Sequence, residues 1–297
     1  MSTLLLVNPA AGHGRGRRLA DEAATAITQH WGGLRRIDTA GPGDAIEIAR
    51  NAEAGIERIV VLGGDGTLHE AANGVLQRPE TNRPPITIIS AGTGNDYARM
   101  IGTLGLRPAA AIARLTRGTV RKYDAGYAWD EYFINSIGIG FDAAVARRVN
   151  ASSWGRGILP YVAAVIRVIS EFRSYRATVA IDHETFSDDL LLVEVTIGYS
   201  QGGGFRLTPD ALLDDGQFDL CAIRHLSTPA LLAKLPLAMF GRHTRLPQVR
   251  MRRGTTVTIQ SSDGPLLVQF DGEVRQRPGP IEIRILPGAL PVLTTHA

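Results

Sequence analysis

The run Val60-Val61-Leu62-Gly63-Gly64-Asp65-Gly66-Thr67-Leu68-His69-Glu70 places an apolar strand, a glycine turn holding one carboxylate and a helix in direct succession. Glycines let backbone amides approach a ligand and a helix N-terminus favours an anion, so the turn suits phosphate. Asp65 would itself repel a polyphosphate unless a divalent cation lay between them, which is the chemical reason for a carboxylate there. The competing reading is a plain turn in which Asp65 caps the helix. Two further segments offer matching chemistry. Asn8-Pro9-Ala10-Ala11-Gly12-His13-Gly14-Arg15-Gly16-Arg17-Arg18 joins small residues for backbone approach to cations for phosphate. Ala91-Gly92-Thr93-Gly94-Asn95-Asp96-Tyr97-Ala98-Arg99 adds a hydroxyl at Thr93 and an amide at Asn95. Asp96 and Arg99 are spaced for one helical face, either as a bracing pair or with Arg99 simply solvated.

Such residues need a scaffold that brings several strand ends to one edge, and the first 120 residues supply one. Strand-like runs at Leu4 to Val7, Leu34 to Asp38, Arg58 to Leu62 and Ile86 to Ser90 alternate with helical patterns at Arg17 to His30, Asp44 to Ala54 and Thr67 to Leu76. Fully apolar strands alternating with helices predict a doubly wound parallel α/β sheet, whose ligands bind beyond the carboxyl ends of the strands. From Val120 onward the texture changes to two-fold alternation, at Arg176 to Asp182, Leu190 to Ile197, Gln217 to Ile223, Thr255 to Gln260 and Leu266 to Phe270. This half reads as an antiparallel β-sandwich. The boundary is expected near Lys122 to Asp124, giving domains 1–122 and 123–285, with 286–297 returning to the first domain or not.

The 297 residues are 44% hydrophobic and 21% charged, an ordinary globular balance. Lys plus Arg (32) exceeds Asp plus Glu (29) by three, and the cations are spread along the chain, so no nucleic-acid partner is expected. One cysteine, Cys221, excludes an internal disulfide framework and a multi-cysteine zinc site, and fits a reducing, cytoplasmic setting. The N-terminus reads as a first strand rather than a signal peptide, and the longest apolar stretch, Ile158 to Ile166, contains Pro160 and falls short of a bilayer span. Two motif matches point elsewhere and fail on context. Gly198-Tyr199-Ser200-Gln201-Gly202 fits a hydrolase nucleophile elbow, but Gly203, Gly204 and Pro209 forbid the helix it must enter. Gly138-Ile139-Gly140-Phe141-Asp142-Ala143 resembles a dinucleotide fingerprint without the acidic residue expected about 20 positions on. The seven histidines show no metal-ligand spacing, and no P-loop pattern occurs.

Taken together, Asn8-Pro9, Gly63-Gly64-Asp65-Gly66-Thr67 with Glu70, Gly92-Thr93-Gly94-Asn95-Asp96 with Arg99, Gly202-Gly203-Gly204-Phe205 with Pro209-Asp210, Leu213-Asp214-Asp215-Gly216 and Asp271-Gly272-Glu273 resemble the bacterial diacylglycerol kinase family. The match spans about residues 3 to 285; the glycine turn alone would also admit NAD kinases and phosphofructokinase-like enzymes. The resemblance implies that the first domain binds ATP, that the sandwich carries the lipid site and that the active site is the cleft between them. It implies nucleotide contacts from Asn8, Pro9, Gly12, Arg18, Gly63, Gly64, Asp65, Gly66, Thr67, Glu70, Gly92, Thr93, Gly94, Asn95, Asp96 and Arg99, with Asp65 near a catalytic Mg²⁺. A second, structural Mg²⁺ is implied at Asp215, with the carbonyls of Leu212 and Gln217; an acidic loop without metal is the alternative.

Asp271 matches the family's general base, with Glu273 beside it. Transfer of a phosphoryl group to an alcohol needs a carboxylate to accept the hydroxyl proton. In an extended chain two residues around one glycine face the same side, whereas Asp-Gly is also a strong hairpin signal. The sequence departs from the family at His13, where many relatives carry Lys, and at Ser90-Ala91, which replaces a Pro-containing entry to the glycine loop; Arg15, Arg17 or Arg18 would supply the missing charge. Lipid access is expected at Trp154 to Phe172 and at Leu231 to Arg245, where Phe240 is flanked by Arg242 and Arg245, as docking surfaces or as core helices. The expected activity is ATP- and Mg²⁺-dependent phosphorylation of diacylglycerol or a related lipid by an enzyme peripheral to the inner face of the membrane, with a homodimer left open. An NAD kinase-like activity and a non-catalytic nucleotide or lipid sensor are the alternatives.

Overall fold

The computed structural model describes residues 2–151, 167–169 and 171–295. The chain divides into two compact units, Met1–Asp124 with Gly288–Ala297, and Ala125–Pro287.

In the first unit β1 (Ser2–Val7), β2 (Gly33–Asp38), β3 (Ile56–Gly63) and β4 (Ile86–Ser90) form a parallel sheet in the order β2-β1-β3-β4. Between them run α1 (Ala11–Trp31), α2 (Asp44–Arg50) and α3 (Asp65–Leu76); α4 (Asp96–Met100) and α5 (Pro108–Leu115) follow β4. Strand side chains alternate faces, so Leu5, Val7, Val60, Leu62 and Ile89 pack with Ala20, Ala23, Ile27 and Ile112 of α1 and α5, while Leu4, Leu6, Ile59 and Val61 are buried on the other face. Both faces are covered, as the continuous apolar runs require. Two bounds differ from expectation. Helix α1 starts at Ala11 rather than Arg17, then breaks at Gly12, His13 and Gly14, whose φ values of 55°, 56° and 82° are left-handed. Helix α2 ends at Arg50 rather than Ala54, because Asn51 leaves the helical conformation and caps it through its amide on the Glu47 carbonyl.

The last strand, β15 (Ile281–Thr294), brings Val292 beside Ile86 of β4, and β5 (Thr119–Ala128) pairs with it. The Gly288 amide donates to Asp124 Oδ1 at 2.7 Å, fixing the first-unit ends of both long strands. The second unit holds β6 (Glu131–Phe133), β7 (Ser136–Gly140), α6 (Phe141–Ala151), β8 (Tyr175–Ile181), β9 (Glu184–Thr196), β10 (Phe218–Arg224), α7 (Thr228–Met239), β11 (Val249–Gly254), β12 (Thr256–Ser261), β13 (Leu266–Phe270) and β14 (Glu273–Arg277). Its strand order is β14-β13-β7-β9-β8-β12 followed by the first half of β15, all antiparallel, with β10 on β9 and β11 on β10. The 13-residue β9 serves twice: its first half pairs β8, and its second half lies between β7 and β10. Phe133 stacks on Phe218 and meets Phe270 edge-on, at 5.8 and 6.3 Å, in the fully buried aromatic centre of this unit.

Candidate functional site

The strand order places the carboxyl ends of β1, β3 and β4 side by side, and their loops are stitched together. The Asn8 amide donates to the Leu62 carbonyl at 2.9 Å and the Ala91 amide to the Gly63 carbonyl at 2.7 Å. Asn8 Nδ2 donates to Thr67 Oγ1 at 2.9 Å, and Asn8 Oδ1 accepts the Ala10 amide at 3.0 Å. Gly64 and Gly92 face each other so closely that a Cβ on Gly92 would lie 2.6 Å from the Gly64 Cα, and one on Gly12 would meet the Ala91 carbonyl oxygen at 2.0 Å. Helix α3 opens from Gly64 without a side-chain cap, which leaves first-turn amides for an anion.

Asp65 is the first residue of α3 and does not cap it. Its Oδ1 instead accepts the Tyr97 amide at 3.2 Å, and the amides of Asp96 and Asn95 also face the carboxylate. The residue keeps part of its surface exposed, while its carboxyl group is packed among protein atoms. That burial, reinforced by the neighbouring Asp96 and opposed by the three amides, pushes its pKa up to about 6. Asn95 sits in the left-handed region (φ 54°), donates Nδ2 to the Gly92 carbonyl at 2.9 Å, and leaves its buried Oδ1 without a partner. Thr93 is exposed beside it, with Gly94 half-buried. Pro9 is half-buried, Gly66 lies in the α3 first turn, and the exposed Arg18 donates Nη1 to the His13 carbonyl at 3.4 Å.

Two side chains have surroundings that the sequence did not anticipate. Glu70 accepts the Gly43 and Ala45 amides on its two oxygens, at 2.9 and 3.3 Å, and so secures the start of α2. Among the described residues Arg99 makes no ion pair with Asp96, and its buried Nε has no hydrogen-bond partner. The bracing expected within α4 is supplied from outside it, by Asp65.

In the second unit Asp271 and Gly272 form the turn between β13 and β14, both with positive φ (47° and 96°), so the hairpin signal is realised and Asp271 is not extended. The expected common facing of Asp271 and Glu273 therefore does not arise from strand alternation; Glu273 is the first residue of β14, paired with Phe270. The turn does more than reverse the chain. Asp271 Oδ1 accepts the amides of Asn135 and Ser136, and Oδ2 that of Ile134, each at 2.9 Å.

Asp215 accepts the Gln217 amide on Oδ1 at 3.1 Å and is ion-paired through Oδ2 with Arg253, while Leu212 is exposed. Sequence reasoning missed two members of this cluster, Arg253 and Asp219. Arg253 Nε also reaches Asp219 Oδ1 at 3.3 Å, and Asp219 Oδ2 is buried without a hydrogen-bond partner. Burial pushes the Asp219 carboxyl up; Arg253 opposes this, and Asp215 and Asp210 add to it. The available signal was the four-residue spacing from Asp215 to Asp219. Ser200 is buried and followed by a turn, so no hydrolase elbow forms.

Helix α7 presents an inverted pattern. Leu232, Pro236, Met239 and Phe240, at the i, i+4, i+7, i+8 spacing of one helical face, are all exposed, Phe240 by 72%, and exposed Arg242 and Arg245 follow. Of the other expected docking stretch, residues 152–166 and 170 lie outside the described residues. No helix among the described residues is long and apolar enough to cross a membrane.

Residues 2–128 match the model of the diacylglycerol kinase catalytic domain, and residues 135–294 that of the YegS C-terminal NAD kinase beta sandwich-like domain. The chain is 31% identical over 298 residues to a Mycobacterium tuberculosis protein named diacylglycerol kinase, covering 97% of this chain and 93% of that protein. It is 29% identical to the Bacillus subtilis diacylglycerol kinase over 233 residues, 78% of this chain and 76% of that one. The crystal structure of a diacylglycerol kinase from Bacillus anthracis shares the fold, with a TM-score of 0.78 at 22% identity over 99% of this chain and 96% of that chain. With two family models spanning both units and a relative above 30% identity over nearly the whole length, the chain belongs to the diacylglycerol kinase family, kinases whose phosphate acceptor is an alcohol.

Proposed function

We propose that this protein transfers the γ-phosphate of ATP to a hydroxyl of diacylglycerol or a related lipid. The observation that carries the nucleotide half is the meeting of three loops at the carboxyl edge of β1, β3 and β4, with the uncapped start of α3 among them. The backbone amides of Gly64, Gly66 and Gly92 and the side chains of Thr67 and Thr93 supply donors for phosphate oxygens, and Arg15, Arg17 and Arg18 supply charge. Asp65 and the unpartnered Asn95 Oδ1 are hard oxygen donors that fit Mg²⁺, which would neutralise charge on the transferred phosphoryl group. Asp215 fits a second such ion by its chemistry: Asp215 and Asp219 share one guanidinium, Asp210 adds negative charge near Asp219, and one buried oxygen of Asp219 is unpartnered. Asp271 accepts the proton of the lipid hydroxyl, and its three amide contacts hold the carboxylate in one orientation for that task. Glu273 beside it adds a second carboxylate.

The acceptor is reached at the inner face of the membrane, with the protein peripheral to it. Support comes from α7, where Leu232, Met239 and Phe240 are exposed together and Arg242 and Arg245 complement anionic headgroups. Phe240→Asp is expected to abolish cosedimentation with vesicles containing phosphatidylglycerol while ATP binding is unchanged. Full vesicle binding by the folded variant would remove α7 from the docking role.

The nucleotide site has its own check. Gly92→Ala would force its loop away from Gly64, so ATP affinity by calorimetric titration should fall by about tenfold or more. Wild-type affinity would mean that these two loops do not bind the nucleotide. The reaction itself is tested by radiolabelled phosphate transfer from Mg-ATP to diacylglycerol, phosphatidylglycerol, a sphingoid base and ceramide in mixed micelles, with NAD as a soluble acceptor alongside. Label in a lipid establishes the reading and names the acceptor. Label in NAD alone would reassign the enzyme to a soluble alcohol, and ATP binding without transfer would leave a sensor.

A further inference from the structure

The Gly138-Ile139-Gly140-Phe141-Asp142-Ala143 motif lacks the acidic residue of a dinucleotide fingerprint, and the structure shows a packing role for its first glycine. Across four neighbouring strands the register aligns Gln269 of β13, Gly138 of β7, Glu194 of β9 and Cys221 of β10 in one row, with their side-chain positions on one face. The gap left at Gly138 is filled from α6 by Asp142. A Cβ on Gly138 would lie 1.6 Å from Asp142 Oδ2 and 2.4 Å from Glu194 Oε2, so both carboxyl groups converge over the glycine.

Glu194 is 1% exposed, and both Asp142 oxygens and Glu194 Oε2 are buried without a hydrogen bond of ordinary geometry; the Ala143 amide and Gln269 lie toward Asp142 and Ser136 toward Glu194, and their partial stabilisation of the charged forms is outweighed by burial. Among the described residues no cation pairs with either. The titratable groups that face them are Tyr175 of β8, Cys221 of β10 and Asp271 of the β13–β14 turn, none of which brings positive charge. Two buried carboxylates in contact without a cation cannot both be ionised. Burial pushes both carboxyl groups up, Glu194 well above the usual range, and each favours a proton shared with the other. Beside them Gln269 Nε2 donates to Glu194 Oε1 and to Ser136 Oγ, both at 3.3 Å, and Gln269 Oε1 accepts the Gly272 amide. Gly272 follows Asp271, whose carboxylate accepts the Ser136 amide.

We propose that Asp142 and Glu194 share a single proton and act as positioning residues: the joined pair fixes Gln269, and Gln269 fixes the Asp271–Gly272 turn. The positioning part rests on Asp271 as the proton acceptor of the reaction; the shared proton does not. When the pair loses that proton, two negative charges repel inside the unit and the turn loosens, so turnover falls on the alkaline side.

Glu194→Gln separates the two parts, because its amide donates to Asp142 as the shared proton does and cannot be titrated away. At pH 8 the wild type should show the infrared carbonyl band of a buried protonated carboxyl group, and Glu194→Gln should lack it. The same variant should keep kcat near the wild-type value and lose the alkaline fall. Glu194→Ala, folded by circular dichroism, leaves Gln269 unanchored and should lower kcat by about ten- to a hundredfold with KM for ATP unchanged. An absent wild-type band, or one that survives in Glu194→Gln, overturns the shared proton. Wild-type kcat in folded Glu194→Ala, or an unchanged pH profile in Glu194→Gln, overturns the positioning role. Retained turnover in Asp271→Asn would strike the proton-acceptor reading and the positioning role with it, while the infrared band would still decide the shared proton.

Discussion

Asp65→Asn is expected to raise the melting temperature in metal-free buffer above pH 6 while lowering turnover by about 10²- to 10³-fold. The stability half follows from where the carboxylate sits. Its pKa is pushed up to about 6, from 3.8, by burial and by Asp96, so the fold favours the protonated form. That preference is full below about pH 4, where folded and unfolded chains both hold the proton, and is lost as pH rises through about 6. At neutral pH the ionised carboxylate costs about 3 kcal/mol relative to a neutral group in its place. Asparagine keeps an oxygen for the Tyr97 amide and carries no charge beside Asp96, so the gain should be several degrees, growing from pH 4 to pH 6 and absent below pH 4. Thermal melts across that range, beside phosphate transfer at pH 7.5, decide the matter. A variant that is less stable at neutral pH, or one that is fully active, would make Asp65 a brace for α4 and nothing more. A residue that weakens the fold and is needed for turnover is what a metal-facing carboxylate should be.

Asp271→Asn should move stability the opposite way and remove activity more completely. Three backbone amides donate to this carboxylate, two on Oδ1 and one on Oδ2. An asparagine must turn its own NH₂ toward at least one of them, and the orphaned donor costs about 1–3 kcal/mol. The left-handed backbone at this position is one asparagine adopts readily, so the hairpin itself should persist. Loss of the proton acceptor should lower kcat by about 10²- to 10⁴-fold, with ATP affinity unchanged. Assays well below the melting transition separate the chemical loss from the structural one. If the folded variant turns over at the wild-type rate, the three amides are a hairpin anchor and the proton goes elsewhere.

Much of this was legible without coordinates. The change from apolar runs to two-fold alternation near Val120 locates the change of architecture, and the alternation at Leu266 to Phe270 coincides with β13. The glycine-bearing turns after β1, β3 and β4 were each visible as loops, because glycine content and strand period are properties of a few consecutive residues. Helix starts were less legible: left-handed residues at Gly12, His13 and Gly14 interrupt α1 within its first turn, which periodicity alone reads as loop.

Side-chain partners were the part that local pattern did not hold. Asp65 reaches an amide 32 residues away, Glu70 turns back 27 residues to Gly43, and Asp271 is held by amides more than 130 residues earlier. Asp142 and Glu194 meet only because α6 lies over β7, so a motif that resembles a dinucleotide fingerprint becomes the cradle of an acid pair. By itself the sequence determined the two architectures, the glycine-bearing loops and the residue types available in them, since strand and helix periods and turn residues act over a few positions. The tertiary structure alone decided which carboxylates accept amides, which meets an arginine and which must hold a proton, since those outcomes depend on what the fold packs beside each group.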